Sequence, residues 1–434
     1  MEKILDRALK RADEAEVFYL ESEQTPVLFK SDALHSIDAK QKRGVGLRVI
    51  RDGRIGFSST SDMSRIGDLI DGAVDSARFG QEAKFEFPRK ADFPEVHIYD
   101  EGVADFSVEH AVKEGNALIA AVKEKEPELK IDAHIEKAVS NVRIVNSRGL
   151  DFSFDKTYFT YYIEGFLLAD GSFVWISEGK SKCSLCLETE KFANELLWKA
   201  SLAKKPTESP DKALPVLFMP EALTSLLRAF ALGVNGKHIQ KGSSPLLGRV
   251  GEKIISDRVS ICDDGLLECG MRSSPVDGEG VPSTRLPLLD KGVLKGYIFD
   301  LQTAGLMGVT TTGNAARGYN SMPVPQIRNF CVAPGESSVK EMVKGLKEGI
   351  VIYDVLGGGQ SNLLAGDFSV NISLGFKVED GEMVGRIKDS MIAGNVYDIF
   401  SRVRDVGKEV EEVWGYCSPA FCFDDIRVAS KGKQ

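Results

Sequence analysis

Hydrolysis on a bound zinc needs two or three imidazoles or carboxylates converging on the metal, plus a base to activate water. The chain has five histidines, His35, His97, His110, His134 and His238, and the nearest pair, His97 and His110, is thirteen residues apart. No helix brings that pair to one face at the one-turn spacing such sites use. Each histidine is therefore expected at the surface or as a satisfied interior residue. The one CxxC, Cys183 to Cys186, lacks a second pair at matching spacing, since Cys262 and Cys269 fit poorly. On a strand, residues three apart face opposite sides, which weakens a metal reading further.

Nucleophilic chemistry leaves no clearer mark. There is no GxSxG elbow and no cysteine with a local catalytic signature, and serines and aspartates are too plentiful to single out a triad. The run Leu356-Gly-Gly-Gly-Gln360 lacks the GK[ST] ending of a phosphate loop and reads as a tight backbone turn. Paired acids occur at Asp263-Asp264, at Asp277 with Glu279, and at Asp424-Asp425. Most are expected at turns, where aspartate caps the local backbone.

The elements that would position these residues are easier to read. A chain of 434 residues with 43% hydrophobic and 27% charged composition has the size of two globular domains. The formal net charge of -9 and the absence of a basic stripe argue against direct nucleic-acid binding. The opening MEKILDRALKRADEAE is a charged amphipathic helix pattern rather than a signal peptide, and no apolar run is long enough to span a membrane. Seven scattered cysteines suit a reduced, cytoplasmic setting better than a disulfide framework.

Short strands are expected over residues 16–21 and 26–30. VGLRVIRDGRIGFSS reads as a hairpin, because Asp52-Gly53 supplies the positive φ angles of a tight turn. Helical spacing follows over 63–77, after Ser107 as N-cap, and over 189–203, with antiparallel strands between 129 and 185. The polar, proline-containing AKKPTESPDKA is the best linker. The expected division is an N-terminal α+β domain over 1–203, a linker over 204–213 and a β-rich domain over 214–434. The fold class is α+β: mixed helices and antiparallel strands first, then a curved or barrel-like antiparallel sheet with few helices. The late stretch FSVNISLGFKVEDGEMVGRIKDSMIAG reads as a meander.

The second half resembles the TldD/PmbA family, described as peptide-processing proteases and modulators of DNA gyrase. The resemblance runs through LPVLFMPEALTSLLRAFALGVNGKHIQKGSSPLLGRVGEKI, VSICDDG, VDGEGVPSTR, TTTGNAARG and LAGDFSVNISLGFKVEDGEMVGRIKDSMIAGNVYDIF; the first half fits more loosely at GVGLRVIRDGRIGFSS and VNSRGLDFSF. In the TldD-type subunit the helix after the first strand carries an HExxxH zinc motif. The matching positions here read Arg228-Ala229-Phe230-Ala231-Leu232-Gly233. The family's third ligand is a cysteine near the C-terminus, in about the place of Cys417.

The pattern is similar to the PmbA/TldE subunit, which lacks the metal motif. That implies no metal, no cofactor and no catalytic residue in this chain. The implied partner is a TldD-type zinc peptidase subunit or a second copy, and the substrate an extended peptide added to an exposed sheet edge. Neither nucleic acid nor membrane is implied as a partner. A homodimeric peptide-binding or gyrase-modulating protein is the alternative. Arg228, Asn314, Arg317, Gln360 and Asp367 are the candidate cleft residues. Plainer roles exist for three of them: Asn314 and Asp367 as turn residues beside glycine, and Arg317 paired with a surface acid.

Overall fold

A computed structural model of the protein describes residues 1–357 and 361–430, so Gln360 lies outside the described residues. Two sheets dominate. The first has seven strands and curves into a half-barrel. Its central strand, Glu14–Lys30, absorbs both short strands expected there and pairs antiparallel with Lys40–Arg51 on one side and Lys130–Asn146 on the other. Beyond Lys130–Asn146 follow Asp151–Ala169 and Ser172–Lys182, the latter a free edge among the described residues. The hairpin at Asp52-Gly53 forms as expected, with φ of 49° and 71°.

The helices of this half fall where their apolar spacing puts them. Val108–Lys123 is capped by the Ser107 hydroxyl, which accepts from the His110 amide at 3.2 Å. Thr189–Ala203 buries Phe192 and Leu196. The opening helix is shorter than its pattern, Glu2–Ala8, because the chain turns into the long first strand at Glu14.

The second sheet closes on itself. Ala213–Phe218, Glu348–Gly357, Asp367–Glu379, Ser390–Asn395 and Tyr416–Ser430 pair in sequence, and the last returns to the first, giving a closed ring. The runs LPVLF and GIVIY are apolar at successive positions because both strand faces are covered. Val216, Phe218, Ile350 and Ile352 point into the barrel with the helix Pro220–Gly233. Leu217, Val351 and Phe376 point outward, into a core shared with helices Val108–Lys123 and Thr189–Ala203 and the first sheet. The two halves are thus joined by a continuous apolar layer.

Residues 204–213 connect helix Thr189–Ala203 to strand Ala213–Phe218 and are held along the barrel: the Thr207 amide donates to the Arg386 carbonyl at 2.8 Å and the Ser209 hydroxyl to that of Lys388 at 2.6 Å. Two expectations change. The late strands are not a simple meander, because Glu382–Arg386 and Ser390–Asn395 both pair with Asp367–Glu379, at its two ends. The cysteines are not all free thiols. Cys183 pairs with Cys269 across the two halves, while the Cys186 thiol donates to Glu188 Oε1 at 3.2 Å. A pairing 86 residues apart leaves no local sequence signal. Among the described residues no helix is long and apolar enough to cross a membrane.

A buried ion cluster completes the junction. Arg48 meets Glu16 at 3.1 Å and Glu279 at 2.5 Å, and Arg317 meets Glu16 at 2.6 Å. Burial opposes the charge on Arg48, but the two carboxylates hold it firmly protonated. Its guanidinium lies 4.8 Å from the Phe85 ring centroid and 5.0 Å from that of Phe87.

Candidate functional site: a basic cleft beside the barrel helix

Strand Ala213–Phe218 delivers the chain to Pro220, which opens the helix at a position where no backbone N–H is needed. Leu223, Leu226, Leu227 and Phe230 fill the barrel. Thr224, Arg228, Ala231 and Asn235, at helical spacing on another face, line a cavity of about 440 Å³. Its opposite wall is Arg272, Gln326, Ile327, Trp414 and Tyr416.

Trp414 reaches the rim by an unusual backbone. It occupies the tight turn before strand Tyr416–Ser430 with φ of 53°, followed by Gly415 at 80°. Bulky residues rarely adopt this left-handed region, so the turn gives up conformational preference to expose an indole at the cleft. Glycine suits position 415 because of this positive φ, and a Cβ there would push against the Arg272 side chain, 2.7 Å away at Nε.

The six positions that the resemblance sets against a zinc motif, Arg228 to Gly233, hold a guanidinium and packing residues. After the exposed Arg228 come Ala229, Phe230 and Ala231, all buried, then Leu232 and Gly233. A Cβ at position 233 would lie 2.6 Å from the Tyr397 hydroxyl and 3.0 Å from Leu246 Cδ1, so a larger side chain has no room there. Cys417 is buried and lines a different cavity from Arg228, because Tyr416 and Cys417 are successive strand residues. Among the described residues, His97, Cys183 and Cys269 form a three-donor group, with both sulfurs engaged in the disulfide.

Cys417 borders a cavity of about 420 Å³ beneath the free edge strand Ser172–Lys182. Burial, with Asp354 nearby, raises the Glu221 carboxyl to about 7. Burial likewise raises Glu178, which touches Lys199; that ammonium lies 4.5 Å from the Tyr353 ring centroid.

The other candidates divide. Arg317 is fully buried and bound to the equally buried Glu16, so its expected surface partner is replaced by an interior one. Asn314 is also buried and holds Asp263, whose second oxygen accepts the Arg328 amide at 2.7 Å. Burial pushes Asp263 up to about 7; it lies in strand Ile261–Asp264, not in the turn expected from sequence. Asp277 is a cap, accepting amides from Glu279 and Val281. Asp367 is exposed, accepts from Asn395 at 3.0 Å and lines neither cavity. Sequence reading missed Arg272, Gln326 and Tyr416, which converge only in the fold. The bulky residue in the Trp414-Gly415 turn was the one local signal available.

The closed barrel, half-barrel and aromatic-rimmed basic cleft define a two-sheet α+β architecture with known relatives. Residues 211–430 match the family described as PmbA/TldA metallopeptidase C-terminal domain, and residues 15–77 match PmbA/TldA metallopeptidase domain 1. TldE from Thermococcus kodakarensis has the same fold, with a TM-score of 0.91 at 23% identity over 99% of this chain and 100% of that one. A candidate modulator of a DNA gyrase from Thermotoga maritima gives 0.91 at 25% identity, with the same coverage. A Methanocaldococcus jannaschii protein is 28% identical over 98% of both chains. The chain belongs to the PmbA/TldD metallopeptidase family.

Proposed function

We propose that this chain is a non-catalytic, metal-free subunit of a two-component zinc peptidase, receiving extended peptides while a TldD-type partner cleaves them. The observation that carries this reading is the cleft-facing helix. Its motif positions hold a guanidinium and packing residues, and the space around Gly233 is filled by Tyr397 and Leu246. The edge strand Ser172–Lys182, unpaired on one side among the described residues and bordering a cavity, supplies a backbone template for an extended chain.

Metal analysis and peptidase assays on the purified chain, alone and mixed with a TldD-type protein, test the reading. It expects no stoichiometric zinc and no cleavage alone, with cleavage of an unfolded peptide on mixing. Chelator-sensitive cleavage by this chain alone would overturn it.

A second reading is a homodimeric peptide-binding or gyrase-modulating protein. It is favoured by Leu168, Phe173 and Trp175, exposed together around the Asp170-Gly171 turn. Sedimentation of the chain with and without a TldD-type protein separates the two. A cytoplasmic location agrees with the composition, while the Cys183–Cys269 disulfide counts against it; thiol labelling in intact cells decides that point.

A further inference from the structure

Next to the Arg228 cavity lies a second chamber of about 320 Å³, with Arg272, Gln326 and Ile327 forming the wall common to both. Phe18 and Phe154 of the first sheet give it an apolar side; Lys156, Arg317 and Arg328 give it a basic one. The chamber is therefore assembled from both halves of the chain.

Of its cations, only Arg317 takes part in an ion pair among the described residues. Among the described residues, Lys156 Nζ donates only to the carbonyls of Met271, at 2.7 Å, and Ser273, at 2.9 Å. Arg328 donates to the Arg272 carbonyl at 3.0 Å and to the Ser274 hydroxyl. The Arg272 and Arg228 guanidiniums make no hydrogen bond or ion pair among the described residues, Arg272 only approaching the Tyr416 ring at 6.0 Å. Arg317 binds Glu16 through Nη1, leaving Nε and Nη2 buried and without partners among the described residues.

The neighbouring acids are otherwise engaged. Asp277, the one carboxylate among the described residues of the chamber wall, accepts three backbone amides, from Glu279, Val281 and Ala315. Asp263 accepts from Asn314 and the Arg328 amide, and Glu412 from the Met271 amide. Enclosing positive charge without counter-charge is unfavourable, so proteins ordinarily pair it. Burial, and then Arg328, hold the Lys156 ammonium down at about 7, with Glu412 opposing the shift.

We propose that these adjoining chambers form a carboxylate-binding subsite for the chain terminus of an extended peptide, with Arg272 and Lys156 as its principal donors. Arg272 stands between the chambers, where a planar guanidinium can grip a carboxylate through two N–H groups. Phe18, Phe154 and Ile327 accept the last side chain, and Trp414 covers the approach. The proposal rests on the peptide-binding reading and adds to it a direction: the peptide enters with its C-terminus toward Lys156.

Fluorescence anisotropy of one labelled hexapeptide with the full-length chain tests it, using three forms: the free acid, the C-terminal amide, and the amide ending in glutamate. The free acid is expected to bind about tenfold or more tightly than the plain amide. Arg272→Gln and Lys156→Met should each bring the two within about twofold of one another, with circular dichroism unchanged. The wild-type comparison needs no variant to fold. Equal binding of acid and plain amide overturns the subsite while leaving the peptide reading intact. Equal binding of the acid and the glutamate-ended amide overturns terminal recognition in favour of acidic side chains. Failure of all three forms to bind overturns the subsite and the peptide reading together.

Discussion

Arg48 and Arg272 are both basic side chains at the junction of the two halves, yet their surroundings are opposite. Arg48 is sealed, with Glu16 and Glu279 on its guanidinium and phenylalanine rings over it. Arg272 is half-buried beside two chambers and meets no carboxylate among the described residues. A satisfied buried pair locks elements together, because removing one partner strands the other in a low dielectric. An unsatisfied cation at a cavity wall contributes little to folding and is available to a ligand. The contrast separates charges buried in ion pairs from those that line the cleft.

Arg48→Met should break that contrast most severely, lowering unfolding free energy by about 3–5 kcal/mol in denaturant titration as Glu279 loses its counter-charge and Glu16 keeps Arg317 alone. A loss below about 1 kcal/mol would mean the cluster is not the clasp described. Reducing the Cys183–Cys269 disulfide, the covalent counterpart of that clasp, should lower stability by about 2–4 kcal/mol, given the long loop it closes. Cys183→Ser should then be insensitive to reductant.

Glu221→Gln comes next and depends on pH. The wild-type carboxyl titrates at about 7 in the fold, against 4.5 for a free glutamate side chain, so the folded state binds the proton more tightly. The stability this proton contributes is therefore fully present below pH 4.5 and is lost as pH rises through 7. The glutamine variant should exceed wild type by roughly 1–3 kcal/mol at about pH 8 and match it near pH 4. No gain at the higher pH would refute the buried-acid assignment. Arg272→Gln should have the smallest effect, within about 1 kcal/mol of wild type, since no carboxylate is orphaned. A loss comparable to that of Arg48→Met would erase the distinction between the two arginines.

Local physics made much of the architecture legible. The Asp52-Gly53 turn, the Ser107 cap and the Thr189–Ala203 helix each follow from a few adjacent residues, and each appears where expected. The Glu14–Lys30 strand was harder to read: Glu21 to Gln24 is polar because the strand passes from one core to another, so one strand looks like two. The site was less legible still. Arg228 was found through the resemblance, but Lys156, Arg272 and Arg328 are separated by 116 and 56 residues and share no motif.

The sequence by itself determined the turns, caps and apolar faces, the α+β class and the family, because these depend on short-range preferences and on residues read in order. It also determined that the barrel helix carries no histidine between Arg228 and Gly233. Only the tertiary structure decided which charges are paired. Whether Arg48 has a carboxylate, Arg272 has no ion pair among the described residues, or Cys183 meets Cys269 depends on strand register and sheet closure, which bring together residues that have no relation along the chain.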